Sequence, residues 1–495
     1  VASDWSSDVC SSDLKKLTKN TISLILAAIM LSSAFVSCSE KPQDKTESKT
    51  AESQNISAEE NETDETEAGE KLDIPFTDYE GYNFNTLTGD NVPYNWRELT
   101  VEEITGEPIN DAFYNRNLWV EDKLNIKITS VVNATGGNTS AFKNSVNSGD
   151  GAYDCASMNF TDASRTATGG YCLDIGTMPY VDLDKSWWDR DAREQLKVLG
   201  TNYLMASDIT IGDKDVMWVL YFDKQYFEDL HLDDPYKLVA EGKWTFDVFY
   251  DMIKQGLLDL DGNGVYNMKD RYGLLTHGEN YAGMWMSAGE ALIKLDDQNV
   301  PQISWGSERF SNVWDKIAQI MGDPAVYGDN IDFISSGLRE GNAVLATEVV
   351  AFIRSYREND REFGILPMPK YDEAQDRYYT YVAVNSDLMV VSRSVEDAAR
   401  TGEILEVLAA KGKEMIMPEY YDVSLKSKGS RDEQSSASLD IIFTNRMYDL
   451  GVVFGWGGVI NALKTPNANI ASLYKKYESI TNKTMTKDLE NMTKN

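Results

Sequence analysis

Apolar and polar positions alternate first at Tyr82-Asn83-Phe84-Asn85-Thr86-Leu87, a period of two that predicts a half-buried strand. From Asp111 to Leu124 the period lengthens: Phe113, Leu118, Val120 and Leu124 recur at helical spacing. Asn125 to Thr129 reads as a second strand. Gly, Asn and Ser crowd residues 136–151 and mark a loop, and Tyr153 to Met158 is a short apolar third strand. Strand, helix, strand in this order predicts βαβ units and an α/β lobe.

Further along, Trp218 to Phe222 has the continuous apolar character of a buried strand. Thr245 stands where it can cap a helix over residues 247–256. Residues 342–351 are apolar, Phe363 to Pro369 is a short strand closed by prolines, and Tyr378 to Val384 is strand-like. Glu396 to Met417 reads as helix, and a last helix over 470–481 precedes a polar tail. No period of 20–50 residues recurs, which argues against solenoids and propellers.

The first 72 residues follow other rules. Residues 1–14, VASDWSSDVCSSDL, nearly repeat SSDV as SSDL and read as a translated adapter rather than as fold. Lys15, Lys16 and Lys19 precede an apolar stretch from Ile22 to Val36, so 15–37 has the length and flanks of an export signal. It ends in Phe35-Val36-Ser37-Cys38, which resembles a bacterial lipobox with Phe where Leu is usual. That resemblance implies a lipid on Cys38 and a lipid-anchored chain on the extracellular face of the membrane. Residues 38–72 contain eleven acids, four lysines and no aromatic residue, the composition of a disordered acidic tether.

Charge narrows the partners. The 80 acids and 47 bases leave −33, which repels nucleic acid and sets that partner aside. The tether holds −7 of it, so −26 belongs to the folded part from Asp73 onward. Removing 72 of 495 residues leaves a length that suits two lobes better than three domains. Two histidines and four cysteines leave little for His-based catalysis or zinc.

Residues 259–270 read DLDGNGVYNMKD. Asp259, Asp261 and Asn263 match the first three side-chain positions of a calcium loop, and Gly264 matches its obligate turn glycine. Val265 offers its carbonyl, Asn267 follows, and Asp270 closes the loop in place of the usual bidentate Glu. This oxygen spacing predicts a Ca2+ site, and an Asx-rich turn is the other reading. Cys155 and Cys172, in an exported domain, are either a disulfide or two buried thiols, because spacing cannot give the Cα distance.

Six passages occur in a specific order: 113–128 (FYNRNLWVEDKLNIKI), Tyr153-Asp154 with Cys172-Leu173-Asp174-Ile175, Tyr221-Phe222-Asp223-Lys224, 242–247 (GKWTFD), Gly341-Asn342-Ala343-Val344-Leu345, and Phe363-Gly364-Ile365-Leu366-Pro367. Together they resemble the bacterial extracellular solute-binding proteins of the carbohydrate-binding group (family 1, maltose-binding-protein-like), lipoproteins that serve ABC importers. The resemblance covers about residues 80 to 480, with Leu345 where the family has Met. It implies an α/β, two-lobed periplasmic-binding-protein-like fold, each lobe a discontinuous α/β domain, with a hinge and an interlobe ligand cleft. Lobe 1 is expected over 73–220 plus 366–414 and lobe 2 over 221–365 plus 415–495.

Sugars stack flat C–H faces on aromatic rings and bond their hydroxyls to carboxylates and amides. Trp456, flanked by glycines, resembles the family's late aromatic platform, and Trp285 is the next candidate. Asn159, Thr161 and Asp162 follow the third strand and Asp90 the first, where the family places polar contacts. Glu348 lies beyond the Gly-x-Ala strand with Arg354 as its expected ion partner. With 80 acids in the chain, the favoured alternative for each of these acids is a solvated face. The expected function is a monomeric, non-catalytic binding protein that delivers a sugar or oligosaccharide to a permease. A secreted glycoside-active enzyme, which needs two placed carboxylates, and a calcium-stabilised surface adhesin are the alternatives.

Overall fold

The computed structural model describes residues 70–89, 96, 99–133, 137–328, 330–356, 359–427 and 432–493. Cys38, the export signal and nearly all of the tether lie outside the described residues, as does Asp90.

Strands β1 (Tyr82–Thr88), β2 (Ile126–Val132) and β3 (Cys155–Asn159) belong to one sheet, where β1 lies parallel to both neighbours. The chain then passes to a second sheet through β4 (Trp218–Asp223) and β5 (Tyr272–Leu275). A separate hairpin, β6 (Ile293–Leu295) with β7 (Pro301–Ile303), follows. β8 (Val326–Tyr327), β9 (Ala343–Val349) and β10 (Phe363–Leu366) complete the second sheet, in the order β10-β4-β9-β5-β8. β11 (Thr380–Tyr381) carries the chain back, and β12 (Asp387–Val391) joins the first sheet antiparallel to β3, giving β12-β3-β1-β2. β13 (Arg446–Met447) later pairs with β11. The boundary expected at 220 falls inside β4, and Leu366 closes β10.

Every residue of β4 and β9 is buried, the mark of strands covered on both faces by helices. The helices Phe246–Gly256 and Ile331–Glu340 pack on β9. In the first sheet, Phe84, Ile126 and Ile128 face the helices Pro108–Leu124 and Ala398–Lys411 in one core. A strap of residues precedes β1 and seals that core: Phe76 meets Trp119 edge-on at 6.1 Å, and Tyr79 OH donates to Glu403 at 2.7 Å.

Several elements differ from the sequence reading for identifiable reasons. The first helix starts at Pro108, where Glu107 caps it through Asn110 N. Its buried face runs through Phe113, Arg116, Asn117, Val120 and Leu124, so Leu118 points away and is 55% exposed. The loop expected over 136–151 is instead a helix, Asn138–Ser148, bounded by left-handed Gly137 and Gly149. Phe142 and Val146, one turn apart, bury its inner face and outweigh the poor helix propensity of its Asn and Ser residues. Thr245 occupies the N-cap position of its helix but makes no side-chain cap bond. The strand expected over 378–384 pairs as β11 only at Thr380 and Tyr381. The helix expected to run to Met417 loses regular α geometry after Lys411. It widens into five-residue turns over Gly412–Ile416, where a Cβ on Gly412 would lie 1.9 Å from the Asp208 carbonyl oxygen.

The last helix is Ile470–Met492, eleven residues longer than expected, because Thr481, Met485 and Met492 bury a face within the polar tail. It packs on the helix Glu308–Met321 and on the helix Phe160–Thr168, and Tyr203 OH donates to the Met492 carbonyl at 3.1 Å. Among the described residues no helix is long and apolar enough to cross a membrane.

Candidate functional site

Buried polar atoms in folded proteins nearly always have partners, so the exceptions carry information. Here several of them lie at strand ends and on the segments that connect the two sheets. Thr88 Oγ1 at the end of β1, Asn138 Oδ1 opening its helix and Ser386 Oγ before β12 are buried without a hydrogen bond. Trp218 Nε1 at the start of β4, Asn280 Oδ1 and the Tyr381 hydroxyl are likewise buried and unbonded. The two sheets join at crossing segments. Ala383 N donates to Val216 O at 3.2 Å, Phe160 N to Val384 O at 3.3 Å, and Trp218 stacks on Tyr381 at 6.2 Å. Carboxyl ends of strands in α/β sheets are where ligands settle.

The second sheet supplies a polar wall. β5 ends at Leu275, and Thr276-His277-Gly278-Glu279 lead into the helix Asn280–Ser287. The His277 ring lies 4.6 Å from that of Trp218. Burial pushes its pKa down to about 4, so the imidazole is neutral at pH 7. Glu279 is half-buried, and desolvation raises its carboxyl pKa against the pull of exposed Lys464. Among the described residues neither side chain makes a hydrogen bond or ion pair. Gly283 keeps the wall open: a Cβ there would lie 3.2 Å from Asn280 Oδ1 and 3.7 Å from the Tyr381 ring.

The first sheet brings three expected residues together. Asn159 accepts from Asp162 N at 3.0 Å and so caps the helix Phe160–Thr168. Asp162 accepts from Thr139 Oγ1 at 2.6 Å. With Thr161, Arg165, Val384 and Asn385 they line an open cavity of about 360 Å³.

Three other expected residues lie elsewhere. Trp285 packs on Phe310 and Trp314 and donates to Asp449 at 3.4 Å, so its N–H, unlike that of Trp218, already has a protein partner. Trp456 is 2% exposed, stacked on Phe454 at 4.6 Å, and its indole N–H donates to Asp488 in the last helix at 2.9 Å. Its neighbours Gly455, Gly457 and Gly458 take left-handed turns of the chain rather than opening the ring to a ligand. Glu348 is 3% exposed and accepts from Ser335 Oγ at 3.4 Å, and burial pushes its pKa up to about 8. Arg354 instead grips Asp215 at 2.7 and 2.9 Å, where Tyr420 OH also donates.

Sequence reasoning missed Trp218, His277, Glu279, Asn280 and Tyr381. A polar run between an apolar strand and an apolar helix at 276–280 was the one local signal for three of them.

In the loop 259–270, oxygens of Asp259, Asp261 and Asp270 lie within 4.8 Å of one another. Asp259 accepts from Gly262 N and Gly264 N at 2.8 and 2.7 Å, and Gly264 has φ +75°. Buried Asp270 accepts from Leu260 N and Asn267 N at 2.9 and 2.8 Å. Asn263 Oδ1 accepts from Val265 N at 2.7 Å, and the Val265 carbonyl accepts from Asn267 Nδ2 at 2.9 Å. The donor set is all oxygen, as a hard divalent cation requires.

A larger cavity, about 830 Å³, opens beside Trp188 and Tyr421. Its charged walls satisfy one another: Lys214 pairs with Asp208 and Asp213, and Arg446 with Asp189 and Asp213. The wall formed by Trp218, residues 276–280 and Tyr381, with polar atoms unbonded, is the better candidate for contacting a ligand. Cys155 and Cys172 are free buried thiols in separate hydrophobic clusters, so no disulfide links them.

No protein-family model matches the sequence, and no curated protein matches it. Solved structures do. The cyclic alpha-maltosyl-1,6-maltose binding protein of Arthrobacter globiformis aligns over 82% of this chain and 99% of its own, with TM-score 0.56 and 12% identity. An ABC substrate-binding protein of Listeria monocytogenes in complex with cycloalternan aligns over 82% and 99%, with TM-score 0.53 and 11% identity. A cyclo/maltodextrin-binding protein complexed with maltotetraose aligns over 83% and 96%, with TM-score 0.51 and 14% identity. The chain therefore has the two-lobed α/β fold of the periplasmic-binding-protein type.

Proposed function

We propose that the protein is the non-catalytic binding component of an ABC importer, which captures a sugar or oligosaccharide between its lobes and hands it to a permease. The observation that carries this reading is the set of six buried, unbonded polar atoms at strand ends and connecting segments of the two sheets. Hydroxyl-rich ligands supply donors and acceptors at that density, and closure of the lobes around them removes water from both sides. The fold is also that of proteins described as binding maltose-type sugars. Lipid on Cys38 would hold the monomer at the extracellular face, and Ca2+ in the loop 259–270 would stiffen the second lobe at a distance from the cleft.

A thermal-shift screen against neutral mono- and oligosaccharides tests the reading, with each hit recovered and analysed. A stabilising sugar recovered unchanged supports a carrier. Cleavage of the sugar, or no stabilisation by any of them, overturns it.

A further inference from the structure

Two elements from the side of the second sheet reach the first. One is the hairpin β6–β7, which lies between β5 and β8 in the chain. It turns over residues 296–300, where Asp296 accepts from Val300 N at 2.9 Å and Asn299 takes a left-handed φ of 59°. The Asn299 carbonyl accepts from Leu199 N at 2.8 Å. Leu199 sits in a tight turn closed by Thr201 N on the Val198 carbonyl, just before Met205 bridges to Met389 of β12. Its own φ is +53°, a conformation that residues other than glycine adopt only at a cost. A cavity of about 600 Å³ opens at this point, and Asn299 is its one lining residue from the hairpin, the rest coming from 174–202.

The helix Ile470–Met492 makes the second reach. Its start is fixed on the side of the second sheet: Trp314 Nε1 donates to the Ala468 carbonyl at 2.9 Å, and Tyr474 meets Trp305 edge-on at 5.2 Å. Its 23 residues extend about 34 Å, past β7 and onto the helix Phe160–Thr168 that follows β3. There the Met492 carbonyl accepts from Tyr203 OH at 3.1 Å. Leu199 and Tyr203, four positions apart, therefore receive one arm each.

We infer that the two arms form a clasp that joins the lobes outside the segments where the chain itself crosses, and that this clasp limits how far the lobes open. Each arm ends on a single hydrogen bond for which water competes, so the clasp releases and re-forms rather than welding the lobes together. Releasing it shifts the population toward open forms without touching a ligand contact. The inference needs the two-lobed fold but no particular ligand, so it stands or falls apart from the importer reading.

X-ray scattering from the ligand-free protein tests it. Ending the chain after Leu489, with Tyr203→Phe, removes the contact of the helical arm. Leu199→Cys with Asn299→Cys, in the same protein, puts thiols where a backbone N–H···O bond brings the two Cα atoms within disulfide range. Reduced, this variant should have a radius of gyration about 1 Å above the parent's, on a folded radius of about 22 Å. Oxidation, confirmed by mapping a peptide joined at positions 199 and 299, should restore the parent's value. No increase in the reduced form, no bond between 199 and 299, or an increase that oxidation leaves in place overturns the inference. Restoration separates lobe opening from lost folding, because a bond at the hairpin tip cannot refold an unravelled helix.

Discussion

Trp218 joins two jobs in one side chain. Its ring is core, 1% exposed between His277 and Tyr381, while its N–H has no acceptor. Trp218→Phe removes the donor and keeps most of the ring. Since no protein hydrogen bond is lost, the melting temperature should stay within about 2 °C, yet affinity for the bound sugar should fall about ten-fold. Melting and calorimetry on the same sample distinguish this from a structural defect. Glu348 predicts a pH effect of its own. Burial raises its pKa from 4.5 to about 8 in the fold, so the folded state holds the proton more tightly than the unfolded chain. Its contribution favours the fold below about pH 4.5 and is lost as pH rises through about 8. Glu348→Gln should therefore melt like the parent at pH 5 and about 3 °C higher at pH 9. These residues were only partly legible in the chain. Asn159, Thr161 and Asp162 could be found because they directly follow a recognisable strand. Trp218 and Tyr381 are 163 positions apart and meet only because the chain crosses between sheets twice, which no local pattern encodes.

Among elements, β1, β4 and β9 were legible from alternation or unbroken apolar runs. The helix Asn138–Ser148 was not, because its composition favours turns and only two apolar anchors, Phe142 and Val146, hold it. Phe142→Ala should accordingly cost about 3 kcal/mol, measurable by chemical denaturation. The loop 259–270 makes a separate prediction. Calcium should raise the melting temperature of the parent protein and a chelator reverse it, while Asp259→Asn together with Asp270→Asn should abolish the response. An unchanged melt with calcium would leave the loop as a self-bonded turn, its carboxylates already occupied by backbone N–H groups.

For the whole molecule, Arg354, from the chain after β9, ties itself to Asp215, which precedes β4, across 139 positions of sequence. Asp215 is fully buried, so Arg354→Met would strand its charge and cost about 3 kcal/mol, with Asp215→Asn recovering part of the loss in the double variant. The two-lobed plan itself was legible because six motifs in sequence order constrain topology more than any one constrains chemistry. The buried thiols have a practical use. Cys155 and Cys172 are at most 8% exposed, and burial raises both pKa values, so at neutral pH neither is a reactive thiolate. Cysteines introduced at exposed Thr161 and Lys464, one from each side of the cleft, would then be the only thiols among the described residues that a dye can reach. Energy transfer between two such dyes would show, molecule by molecule, whether a sugar brings the two positions closer together.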